Sequence, residues 1–133
     1  MNKIVLSENH RRSISSSMQI IEKMMMDIER IVLNPPEGMM LKTINDIPDL
    51  KTNHFISVLK EMKIQISSLV IKYNLKTEEV KKSRIINSRK AKMWETITDT
   101  NSRKLKGYSK FPVEFAEEFD KDINKLLKLI ETL

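Results

Sequence analysis

Between Ile14 and Val32 the apolar residues fall alternately four and three apart: Ile14, Met18, Ile21, Met25, Ile28 and Val32. This spacing constrains the fold more than any other feature of the chain. It keeps side chains on one face of an α-helix, whereas strand side chains change sides with every residue. The same rhythm returns in Phe55, Leu59, Met62, Ile66, Leu69 and Tyr73, and again in Phe119, Ile123, Leu126, Ile130 and Leu133. With only two glycines in 133 residues, tight hairpins between strands are not expected.

Capping residues divide this pattern into four helices. Ser7 is an N-cap with Glu8 in the first turn, and "NPP" at 34–36 stops the first helix near Asn34. The second runs over 50–73, and Asn74 suits a left-handed cap. Thr77, followed by Glu78 and Glu79, starts a third helix that Gly107 closes near residue 106. Pro112 opens a fourth, over 112–132. The expected fold is all-α, a four-helix bundle in one domain spanning 1–133, with helices at 7–34, 50–73, 77–106 and 112–132. A long link, 35–50, joins the first two helices. Its Met39, Met40, Leu41, Ile44 and Ile47 are expected to pack over one end of the bundle. Met24, Ile31 and Ile20 widen the apolar arc of the first helix, enough to contact a second neighbour or another copy of the chain.

The third helix mixes its apolar side most. Val80, Ile86, Met93, Trp94, Ile97, Leu105 and Tyr108 share their arc with Ser83, Asn87, Lys90, Thr98 and Asn101. A buried polar group without a partner costs on the order of 1–3 kcal/mol, so these groups must be paired or wet. In a structural reading Asn87 and Asn101 fix the helix register, and Lys90 passes Trp94 to reach water. In a functional reading Asn87, Lys90, Trp94 and Asn101 line a groove for a ligand or partner helix.

The net charge is +6, and residues 76–110 alone carry +7. Lys81, Lys82, Arg84, Arg89 and Lys92 lie on or beside the outer face of the third helix and are candidate nucleic-acid contacts. Two features weaken that reading. Glu95 and Asp99 interrupt the face, and the acidic start of the fourth helix is expected to pair with the third. Lysine outnumbers arginine 18 to 6, a bias that nucleotide composition alone can produce. "VIKYNLKTEEVKKSRIINSRK" also has the outline of a helix–turn–helix, turning at Asn74-Leu75, with Thr77 starting the second helix.

Much chemistry is excluded. With no cysteine there is no disulfide or thiolate site. Ser7 and Lys51 stand three residues before His10 and His54, so the Glu-x-x-His pattern of bundle di-iron sites is absent. Neither a phosphate-binding glycine loop nor a zinc-protease motif occurs. Glu114, Glu117, Glu118, Asp120 and Asp122 cluster, but a facing acidic pair for magnesium is not evident. The short apolar run at the N-terminus suits no signal peptide, and no window suits a membrane span. The expectation is a cytoplasmic, non-catalytic interaction module without cofactor or metal. Its partner is another protein or a second copy through the first helix; the alternative is nucleic acid through the third.

Overall fold

The computed structural model of the chain describes residues 3–133, which are helical with no β-strand among them. Five helices follow in order: α1 (Glu8–Leu33), α2 (Asp49–Tyr73), α3 (Lys82–Thr98), α4 (Ser102–Leu105) and α5 (Val113–Glu131). They fall into two compact units, one ending at Glu78 and the other spanning Glu79–Leu133.

The first unit is an antiparallel hairpin of α1 and α2. Ser7 caps α1 as expected, its side chain accepting the backbone N–H of His10 at 3.1 Å. Lys63 of α2 pairs with Glu29 late in α1, whereas Lys76, just past α2, pairs with Glu8 at the start of α1. The antiparallel register follows from these two pairs. Met25 and Leu59 are buried between the helices, with Ile14, Met18, Val32, Phe55, Met62, Ile66, Leu69 and Tyr73 half-buried around them. The four-three stripe of α2 thus faces α1 along its length. The stripe of α1 does so only in part, because Ile21 and Ile28 stay exposed at its edge.

Asn74 ends α2 in the left-handed conformation, at φ 51° and ψ 52°, and its N–H bonds the Val70 carbonyl. The third helix does not start at Thr77. Residues 75–81 are non-helical, and α3 begins at Lys82. Tertiary contacts hold the segment just before Thr77. Leu75 is buried, the N–H of Lys76 donates to Ser15 Oγ at 2.9 Å, and Gln19 Nε2 donates to the Lys76 carbonyl at 2.9 Å. Side chains of α1 therefore fix both backbone groups of Lys76. A helix–turn–helix is thereby ruled out: α2 and α3 are not joined by a three- or four-residue turn, and they belong to different units.

The second unit is also an antiparallel hairpin, built from α3 and α5, with α4 at one end. Lys90 of α3 reaches the end of α5, while Ser102 at the start of α4 bonds Asp120 in the middle of α5. Instead of running to residue 106, the third helix breaks at Thr98, and a separate turn, α4, follows. Asn101 makes the break. Its Oδ1 accepts the N–H of Lys104 at 2.9 Å, and its Nδ2 donates to the Thr98 carbonyl at 3.0 Å. Polar side chains of this kind compete with helical hydrogen bonds and favour caps. On α5 the inward stripe is Ala116, Phe119, Ile123, Leu127 and Ile130, so Leu126 and Leu133, expected in the seam, are exposed. Phe111 and Phe119 pack with ring centroids 5.1 Å apart.

The link between α1 and α2 does not pack as expected. Glu37 and Lys42 form an isolated antiparallel bridge, and the Gly38 N–H donates to the Leu41 carbonyl at 2.7 Å. The turn satisfies its own backbone and leaves Met39 and Met40 at its tip 94% and 97% exposed; Leu41 and Ile44 are exposed too. None of the described helices is long and apolar enough to cross a membrane.

Candidate interaction surfaces

A two-helix hairpin covers one stripe of each helix, and both units leave apolar surface on their open sides. On α1 the residues that widen the arc are uncovered: Ile20, Met24 and Ile31 are 53%, 59% and 52% exposed. This face is continuous with a groove of about 270 Å³ between α1 and α2, walled by Met18, Ile21, Val58, Met62 and Ile66 and edged by Glu61 and Gln65. The second unit carries a comparable groove of about 320 Å³ between Met93, Thr96 and Ile97 of α3 and Leu126 and Ile130 of α5, with Lys92 at its rim. Leu129 and Phe115 of α5 are exposed as well.

Of the four residues proposed for a polar groove on the third helix, three fall on α3 and the fourth caps α4. Asn87 is exposed on the first half of α3. Trp94 is 49% exposed. Asn101 is the cap of α4. Lys90 is half-buried, and its Nζ donates to the carbonyls of Glu131 and Leu133 at 3.0 and 2.8 Å. The ammonium thus satisfies carbonyls that the end of α5 leaves free, at the negative end of the helix dipole.

Lys81, Lys82, Arg84, Arg89 and Lys92 are all exposed. The expected ion pairs between the third helix and the acidic last one are absent. Among the described residues the pairs are Arg11–Glu8, Lys76–Glu8, Lys63–Glu29 and Lys104–Asp99. Register explains the difference. Asp120 lies beside Ser102, so the acidic start of α5 runs alongside α4, while the first half of α3 extends past the level where α5 ends. Asp120 spends its carboxylate on Ser102: Oδ2 accepts the hydroxyl at 2.6 Å and Oδ1 the backbone N–H at 2.8 Å. Those bonds, the hydroxyl's first, hold its pKa below the ordinary carboxylate value. Glu8 is lowered likewise, chiefly by its hydrogen bond from Lys76.

No group of three histidine, aspartate or glutamate side chains converges on a metal-sized site among the described residues. Sequence reasoning missed the polar lock of Ser15, Gln19 and Lys76 and the pairing of Ser102 with Asp120. Both join residues far apart in sequence, and no local pattern announces them. The cluster Thr98-Asp99-Thr100-Asn101-Ser102 did carry a signal for the break in the third helix. No family model matches the sequence, and neither a curated protein nor a solved structure matches it either.

Proposed function

We propose that this protein is a non-catalytic interaction module that acts by pairing the open apolar face of its α1–α2 hairpin with a protein surface, in the first instance that of a second copy. The observation that carries this reading is the uncovered half of the α1 arc. Met24, Ile28 and Ile31 continue the four-three spacing from Ile21, at the edge of the groove, onto a side that α2 does not cover, and all four are exposed. A contiguous apolar stripe of this kind marks a contact surface, and a facing helix with the same spacing would interdigitate with it. A four-helix bundle belongs to the same proposal, because two such hairpin faces laid together give that architecture.

The test is sedimentation equilibrium over a range of protein concentrations, on the wild-type chain and on Met24→Glu/Ile31→Glu. The expected result is a dimer for the wild type and a monomer of unchanged helical circular dichroism for the variant. A wild-type monomer at every concentration would overturn the self-association, as would a dimer that the two glutamates leave intact.

A further inference from the structure

We infer that the first half of α3 is a second, separate binding surface, and that its partner is the phosphate backbone of nucleic acid. The stretch Val80–Trp94 contains six cations and no carboxylate. One of the six, Lys90, is engaged with the end of α5. The other five, Lys81, Lys82, Arg84, Arg89 and Lys92, are exposed and belong to none of the ion pairs of the described residues.

At 100° per residue Lys81, Arg84 and Lys92 fall in one row, with Lys82 and Arg89 in the row beside it. From Lys81 to Lys92 the helix rises about 16 Å, so the five charges form a compact stripe on a rigid element. Two are arginines, whose planar forks suit phosphate oxygens. The stripe also coincides with the positive end of the α3 dipole. That end has no acidic residue in its first turn and no side-chain hydrogen bond at its cap, and Glu78 and Glu79 before it belong to none of the ion pairs of the described residues.

The antiparallel register of the second unit makes the difference. It sets the acidic start of α5 beside α4 and leaves Lys81, Lys82, Arg84 and Arg89 beyond the level where α5 ends, with Lys92 at the rim of the groove beside Leu126 and Ile130. Charge that the sequence alone assigned to neighbouring helices is therefore free. The stripe is not a recognition helix of a helix–turn–helix, and contacts to phosphate carry no base information, so binding is expected to be independent of sequence. This surface is distinct from the α1 face, and binding here requires no dimer.

The test is binding of fluorescent 20-mer duplex DNA, single-stranded DNA and single-stranded RNA by the full chain between 50 and 200 mM salt. Five phosphate contacts give a slope of log K on log salt of about −4.5 for duplex DNA and about −3.5 for single strands. Arg84→Gln/Arg89→Gln is expected to reduce that slope by about two for duplex DNA, and Arg84→Glu/Arg89→Glu to abolish binding with helicity intact. Lys51→Glu/Lys60→Glu, which makes the same change of net charge on α2, is expected to leave most of the affinity. Equal loss in both pairs of glutamate variants would overturn the assignment. So would the absence of binding at 50 mM salt, or binding to anionic vesicles in place of nucleic acid. Met24→Glu/Ile31→Glu keeps the two proposals apart, since it should break the dimer and spare this binding.

Discussion

Single polar side chains hold these hairpins in register. Ser15 is buried, and its hydroxyl bonds in both directions: it donates to the Arg11 carbonyl at 2.7 Å and accepts the Lys76 N–H at 2.9 Å. Ser15→Ala removes the acceptor and strands that N–H, so urea unfolding of the first unit is expected to lose about 1–3 kcal/mol. An unchanged midpoint would show that water replaces the serine. Glu8 and Asp120 make stability depend on acid pH. Each folded-state pKa lies below its ordinary, unfolded value, so each contribution is complete above that value. It is lost as pH falls through the lowered folded value. The thermal midpoint is therefore expected to drop from the ordinary carboxylate range downward. Glu8→Gln/Asp120→Asn should have a lower midpoint at pH 7 and a flatter profile below pH 5. Parallel profiles for wild type and variant would show that other carboxylates govern acid unfolding.

Within elements, local chemistry settled most boundaries. The start of α1 after Ser7, the end of α2 before Asn74 and the start of α5 after Pro112 fall within a residue or two of where caps and prolines put them. Asn74 is the clearest case, since it is the described non-glycine residue with positive φ. A left-handed conformation costs most residues roughly 1–2 kcal/mol, and asparagine and glycine tolerate it. Asn74→Val is accordingly expected to lower the unfolding free energy by about 1 kcal/mol or more, while Asn74→Gly stays close to wild type. Equal effects of the two substitutions in a urea titration would place the cost elsewhere. The third helix marks the limit of local reading. Thr77 with Glu78 and Glu79 has good capping chemistry, yet no helix forms there; the residue before it, Lys76, is held against α1 by Ser15 and Gln19. At the other end of α3, the run of capping residues from Thr98 to Ser102 outweighs the apolar periodicity that continues to Leu105.

For the molecule as a whole, the seams were more legible than their occupancy. Periodicity located the apolar stripes of α1, α2 and α5, because helical spacing is a property of each segment by itself. It could not tell which half of a wide arc a neighbour covers. Met24 and Met25 stand side by side in sequence, yet Met25 is buried against α2 and Met24 is exposed. The basic segment was equally plain in the sequence, but whether it is free depends on register. Shifted by a few turns, the acidic start of α5 would lie beside Arg84 and Arg89; in the register observed it lies beside α4. The link at 35–50 shows the same division, since apolar composition predicted burial and a self-satisfied turn at Gly38–Leu41 left its tip exposed. By itself, then, the sequence determined an all-helical chain, most of its helix ends and the positions of its apolar and cationic stripes. These follow from backbone sterics, capping and side-chain periodicity, which act over a few residues. Only the tertiary structure decided where the third helix begins, which stripes are covered and which charges stand unpaired. Each of those depends on contacts between residues far apart in the chain.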